Sequence, residues 1–495
     1  MKKAVVLIIL VAVISIPVFP QADGDDIAVG KYRKLFSGIT NEERTLLIRI
    51  PRSYDESGST YPVLFLLYGQ NLAEYFLPAI TACDGLAGTG SIPETIIVGV
   101  ANVERYRDYS SIKDGFIENT VRFFREELIP FIDSHYRTKD FRILAGPQAG
   151  AVFSFYTLMN HPDLFNAYIM ENPFTGRNRE LLLKQAGSFF SHDRTLNRFL
   201  YISEENNNNP ENIEALKRFS EMLDSGMPSG FRYIPAVTDP SGYFVPPLPL
   251  KESLICLFDT FSFPPEKKNV TLKEIKQFYS YVGSFYGTDF QPPEIILTFR
   301  SDDLMAAGRY DAAAEVLEYQ LSLYPQSLNA LLHMGDLQRI KGNYDAAIEY
   351  YDAFLKIGPT DAVFIRNKRN SLERYMKESM VYILEKDIDL IGIDKAIRNF
   401  RKQKAAKDNA LTFTENELNS LGYALLNRNR VKESIKVFRL GIENFPASAN
   451  LYDSLGEAYL RDGDKANAIR NYEKSLEMDP GNENARKVLE QEKDH

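Results

Sequence analysis

Nine residues, Arg142-Ile143-Leu144-Ala145-Gly146-Pro147-Gln148-Ala149-Gly150, have the spacing of a reactive corner. An apolar run feeds a turn bracketed by two glycines, and a helical pattern starts at Ala149. In a G-x-S-x-G elbow the glycines give the chain room for a strained strand-to-helix turn. The central side chain is then exposed, and the next backbone N–H, here that of Ala149, points at a developing oxyanion. The centre of this corner is Gln148. A carboxamide has no proton that a nearby base can take at accessible pH, so it cannot serve as the nucleophile that serine would be.

The elements that must position such a corner are legible around it. Pro62 to Leu67, Thr95 to Ala101, Arg142 to Ala145, Ala167 to Met170, Phe199 to Ile202 and Phe231 to Val237 read as short strands. Between them, Phe116 to Tyr136 (broken near Pro130), Ala149 to Asn160 and Pro210 to Leu223 have helical spacing. This alternation predicts a mostly parallel sheet with helices on both faces, while Thr45 to Ile50 is expected as an antiparallel edge strand.

Further segments carry a resemblance: Tyr61-Pro62-Val63-Leu64-Phe65-Leu66-Leu67-Tyr68-Gly69, Asn102 with Arg105-Tyr106-Arg107-Asp108, Glu127-Leu128-Ile129-Pro130-Phe131-Ile132-Asp133, His135-Tyr136-Arg137-Thr138 and His161-Pro162-Asp163-Leu164-Phe165. As a set, from about Tyr32 to Phe261, they resemble the Putative esterase family of α/β-hydrolases, relatives of esterase D and of the ferric enterobactin esterases. The resemblance implies an α/β-hydrolase-like domain over 27–262 and, where the site is intact, ester or thioester hydrolysis by a serine and a histidine. It places the histidine just before a Val-Pro pair, where this chain has Gly242 ahead of Tyr243-Phe244-Val245-Pro246. No histidine occurs between His192 and His333. Glu204 or Glu205 is the candidate acid, although a solvated loop carboxylate beside Asn206 to Asn209 is the plainer reading of both. Tyr68, Gly69 and Ala149 would line the oxyanion side of the crevice, and Tyr68, Gln148 and Tyr243 would wall a small ester-like ligand. Ser154 lies inside the helix and cannot stand in for position 148. No cofactor and no metal is implied.

The C-terminal part repeats itself. Pro325 and Pro359 are 34 residues apart, as are Pro446 and Pro480. Before these prolines recur Met334-Gly335 with Ala347 and Tyr351, Leu421-Gly422 with Ser434 and Phe438, and Leu455-Gly456 with Ala468 and Tyr472, while Ser301 replaces the first glycine. The period and pattern are those of the tetratricopeptide repeat, an all-α solenoid whose helix pairs bury their apolar faces only by stacking. Units are expected near 296–325, 326–359, 414–448 and 449–482, with a degenerate helical pair over 360–413 and a final capping helix. Residues 263–295, framed by Pro264-Pro265 and Pro292-Pro293, read as a connection whose aromatics pack between domains.

Lys2, Lys3 and the apolar run Ala4 to Val18 read as an export signal over residues 1–22, too short for a stable span. This places the mature chain outside the cytoplasm, periplasmic or secreted, with a bacterium as the expected source. The 495 residues carry a net charge of -9, which gives no basic face for nucleic acid. The expected partner is a protein or peptide held by the repeats. Cys83 and Cys256 are the two cysteines, read as thiols with pairing open.

Overall fold

The computed structural model describes residues 29–69, 72–101, 103–174, 178–191, 195–206, 210–238, 249–406 and 411–493. The expected export signal, Asn102, His192 and the segment 239–248 lie outside the described residues. Among the described residues no helix is long and apolar enough to cross a membrane. The chain divides into two compact units, one ending at Leu337 and one beginning at Gln338.

The first unit is organised by an eight-stranded sheet in the order β1-β2-β4-β3-β5-β6-β7-β8. Its strands are β1 (Lys31–Ser37), β2 (Glu42–Arg49), β3 (Tyr61–Leu67), β4 (Ile96–Ala101), β5 (Thr138–Pro147), β6 (Ala167–Glu171), β7 (Phe199–Glu205) and β8 (Arg232–Thr238). β1–β2 and β2–β4 pair antiparallel. All later neighbours pair parallel. The strand expected at the edge is therefore one place inside it, and β1, whose alternation is blurred by Lys31, Arg33 and Lys34, is the true edge. β3 and β4 are buried at every position, the continuous apolar pattern of strands covered on both faces.

The covering helices are α1 (Leu77–Gly88), α2 (Arg105–Ser110), α3 (Phe116–Arg122), α4 (Ile129–His135), α5 (Ala149–Asn160), α6 (Arg179–Phe190), α7 (Pro210–Gly226) and α8 (Leu250–Leu257). One group (α2, α5, α6, α7) packs in series, and α1 packs on α8. Phe124 sits at the centre of an aromatic core, with its ring 5.8 Å from Phe65, 5.4 Å from Phe153 and 6.0 Å from Phe165. The helix break expected near Pro130 is a π-helical turn, Phe123–Leu128, placed between α3 and α4. Pro130 itself sits in the first turn of α4, where its missing N–H costs nothing.

The segment read as a connection contains a full helix, α9 (Leu272–Tyr286), which starts with a Thr271/Glu274 capping box and ends on Gly287 at φ 69°. Its aromatics pack on the hydrolase-like part of the same unit, with Tyr286 5.8 Å from Phe141 and Tyr279 5.7 Å from Phe261. The first repeat hairpin, α10 (Glu294–Ala306) and α11 (Tyr310–Leu323), also belongs to this unit. Where the other repeats have glycine, Ser301 is buried and gives its hydroxyl to the Thr298 carbonyl at 2.8 Å. α12 (Leu328–Ile340) carries the boundary.

The second unit holds α13 (Tyr344–Ile357), α14 (Val363–Glu378), α15 (Met380–Ile391), α16 (Ile393–Ala405), α17 (Glu415–Asn427), α18 (Val431–Asn444), α19 (Ala449–Asp462), α20 (Lys465–Met478) and α21 (Glu483–Lys493). The insert is three helices, not a pair. Ser379 caps α15 directly after α14, and Gly392 at φ 82° turns α15 into α16. The repeat glycines meet the aromatics that the pattern pairs with them. A Cβ on Gly422 would fall 2.3 Å from the Phe438 ring, and one on Gly456 3.0 Å from Tyr472. Small residues at these points let paired helices approach until the ring fills the gap.

Candidate functional site

β5 enters the corner as the sequence predicts, and α5 starts and stops at Ala149 and Asn160, the expected ends. Gln148 stands between them at φ 48°, ψ -114°, a backbone conformation that costs a non-glycine residue about 1–3 kcal/mol. Two hydrogen bonds hold it there. The Gln148 N–H donates to the Glu171 carbonyl at 2.7 Å, and the Gln148 carbonyl accepts from Val152 N–H at 3.0 Å. The flanking glycines are required by contact. A Cβ on Gly146 would lie 2.9 Å from the Leu67 side chain, and one on Gly150 3.1 Å from the Tyr68 ring. The Gln148 side chain is exposed, as a nucleophile would be. Ser154 is wholly buried within α5.

The oxyanion side is built by the end of β3. Gly69 N–H donates to Val100 carbonyl at 3.2 Å, and a Cβ on Gly69 would collide with Gly99 Cα at 2.4 Å. Tyr68 has φ 67°, and its ring is buried 6.0 Å from Tyr75 and 6.1 Å from Tyr109. Burial pushes its hydroxyl up against the opposing pull of the Arg105 charge. The Arg105 guanidinium lies 5.2 Å from the centre of the Tyr68 ring. It is presented by α2, which a charged network anchors. Arg44 reaches Asp108 at 3.0 Å and Glu42 at 3.0 Å, and Arg107 reaches Glu42 at 2.8 Å and Asp108 at 2.6 Å.

The acids differ from the expectation. Glu204 is not a loop carboxylate. It ends up fully buried because β7 continues three residues past its apolar run, paired with β8 through Glu205↔Thr238. One Glu204 oxygen accepts the Phe174 N–H at 2.9 Å, and burial pushes the carboxyl up to about 7 against that bond and Arg179. Glu205 is half-buried, with its N–H on Asn172 Oδ1 at 2.8 Å. Glu171, which sequence reasoning passed over, closes β6 directly beside the corner. It is 1% exposed, and burial, then the charges of Glu205 and Glu204, push it up to about 8. The one signal for it was a lone acidic residue ending an apolar run, where a parallel sheet presents its strand ends to a crevice. Gly242 and Tyr243 lie outside the described residues. His161 is engaged by Glu118 at 3.1 Å and His135 by the Phe131 carbonyl at 2.8 Å, so neither belongs to the corner. Cys83 and Cys256 are unpaired.

Residues 37–205 match the family model described as Putative esterase, and 300–362 and 449–482 match tetratricopeptide-repeat models. The chain carries an esterase-family domain and tetratricopeptide repeats. The curated relative "Uncharacterized protein YjcH" of Bacillus subtilis is 29% identical over 161 residues, covering 31% of this chain and 65% of that protein. The chain therefore spans just under two thirds of that relative's length. Among solved structures, an IroE-like serine hydrolase from Shewanella oneidensis is 21% identical with a TM-score of 0.49, over 58% of this chain and 98% of that one. An uncharacterised protein from Capnocytophaga ochracea is 16% identical with a TM-score of 0.46, over 69% and 99%.

The raised Glu171 in the esterase-family domain has a consequence for stability. Its carboxyl binds a proton more tightly folded than unfolded, so the folded chain takes up that proton between about pH 5 and 8 and loses stability as pH rises through this window. Glu171→Gln is expected to match the wild-type protein at pH 5 and to exceed it by about 2 kcal/mol at pH 8.5. Urea unfolding at the two pH values measures the difference.

Proposed function

We propose that the esterase-family domain is a non-catalytic binding module of an exported protein, and that the repeats hold a protein or peptide partner. The observation that carries this reading is Gln148 at φ 48°, ψ -114°: the elbow is kept, and the side chain it exposes cannot be deprotonated. The repeat units are stacked helix pairs with paired small and aromatic residues, an architecture whose extended surfaces suit chain segments of a partner.

The test is hydrolysis of 4-nitrophenyl butyrate together with labelling by a serine-directed fluorophosphonate. Wild-type protein is expected to hydrolyse the ester no faster than a heat-denatured sample and to take up no label. Labelling that heat abolishes would sink the proposal. A second reading, ester or thioester hydrolysis with a non-standard site, draws on the carboxyls held near neutrality at Glu171 and Glu204, either of which is suited to activate a water. Its mark is turnover without label that is lost in Glu171→Gln or Glu204→Gln.

A further inference from the structure

The two open edges of the sheet are built differently. β8 lies at one end, and parity decides which of its backbone groups face outward. Arg232 N–H donates to the Arg198 carbonyl at 2.9 Å, and the Thr238 carbonyl accepts the Asn206 N–H at 2.8 Å, so the even positions face β7 and the odd ones face out. Pro235 is therefore on the outer side, where it removes the central donor of that edge. β1 lies at the other end, and among the described residues it has a strand on one side only. It contains no proline, so its outer row of N–H and C=O groups is unbroken.

The side chains of β1 divide by the same period. Tyr32, Lys34 and Phe36 share one face, and Lys31, Arg33 and Leu35 the other. Tyr32 is 61% exposed and Phe36 64%. The β2 residues opposite Arg33, Tyr32 and Lys31 are Leu46, Leu47 and Ile48, all buried, so the cover of the sheet stops short of β1. Lys34 is engaged by Glu43 at 2.8 Å, whereas Lys31 and Arg33 make no ion pair among the described residues. Cations on an edge strand guard it against unwanted pairing. A guard does not call for two large exposed aromatics on the same strand, because such side chains favour pairing.

We propose that β1 is a docking edge for an extended acidic segment of a protein partner, which adds to the sheet as a further strand. Main-chain hydrogen bonds supply the attachment, and alternation of side chains supplies the choice of sequence. A strand with acidic side chains at every second position sets them beside Lys31 and Arg33 on one face. Its apolar side chains then meet Tyr32 and Phe36 on the other. Pairing of two copies of this chain through β1 would crowd Lys31, Arg33 and Lys34 of both together, so the edge selects against self-association while admitting an acidic strand. The surface is separate from the corner at Gln148, and the proposal stands whether or not the domain is catalytic.

The experiment is fluorescence anisotropy of the full chain with a fluorescein-labelled peptide of alternating glutamate and valine, as long as β1. Saturable binding is expected, weakened at least about fivefold when salt is raised from about 0.05 M to about 0.5 M, because screening removes the attraction between exposed charges. Hydrogen exchange is expected to slow at the β1 amides when the peptide is bound. Lys31→Glu/Arg33→Glu is expected to weaken binding by at least about tenfold and Phe36→Ser by about threefold. All three side chains are exposed, and circular dichroism confirms that the variants fold. An added strand turns every second N–H toward the sheet. Of two peptides N-methylated at alternate residues, one on its glutamates and one on its valines, at least one is therefore expected to lose binding. The inference is overturned if the parent peptide does not saturate, if a lysine–valine peptide binds as tightly, if both methylated peptides bind like the parent, or if charge reversal leaves binding unchanged. Phosphatidylglycerol vesicles that bind the chain where the peptide does not, and fail to bind Lys31→Glu/Arg33→Glu, would assign the edge to a membrane surface and overturn it as well.

Discussion

The double variant Gln148→Ser/Gly242→His is expected to hydrolyse 4-nitrophenyl butyrate about 1000-fold faster than wild-type protein and to take the phosphonate label. Removing a nucleophile or base from such a constellation costs orders of magnitude, and restoring both should return a large part of them. The corner needs no rebuilding. The strained backbone at position 148 is already held by Glu171 carbonyl and the first turn of α5, and the side chain there is already exposed. An acid to orient the new imidazole is available at Glu204 on β7 or Glu171 on β6. Gln148→Ser alone should stay close to wild type, because a serine without a base is not activated. Initial rates of the two variants, with circular dichroism to confirm folding, decide the matter. A folded double variant as inert as the wild type would show that this corner is scaffold rather than a lapsed site.

The corner was legible because its demands are local. Glycines at 146 and 150, an apolar run before them and helix spacing after them leave few alternatives. The repeats were legible for a different reason: a fixed period survives even when single positions, such as Ser301, depart from it. What the chain hides is set by pairing rather than composition. β7 was expected to stop at Ile202, because Ser203, Glu204 and Glu205 lead into an asparagine run. In the sheet β8 offers partners through Thr238, so the strand continues and carries Glu204 into the interior. β5 likewise starts at Thr138, before its apolar run, because its first residues project to the sheet's end beside Tyr61. β1 was invisible because an edge strand half in water shows no apolar face. Glu171 was missed by one residue, the one at which an apolar strand meets the crevice.

Asp108→Ala is expected to cost about 3–5 kcal/mol of stability, the loss that follows when one partner of a buried ion pair is removed. Asp108 is 3% exposed and Arg44 2%, and the aspartate bridges Arg44 to Arg107 while accepting the Glu104 N–H at 3.1 Å. Without it, Arg44 keeps only the partly exposed Glu42 among the carboxylates that the network gives it. The consequence should reach the crevice, because α2 carries Arg105 to its place over Tyr68 and has only six residues, too few to hold a helix by propensity alone. Hydrogen exchange is expected to show α2 and the following α3 losing protection before the strands do. Asp108→Asn keeps the acceptor for Glu104 and removes the charge, so it should fall between the two. The comparison separates the loss of a counter-charge from the loss of a hydrogen bond. If urea unfolding places Asp108→Ala within about 0.5 kcal/mol of wild type, the range of an ordinary surface change, the network does not anchor the helix, and Arg105 is held over Tyr68 by something else.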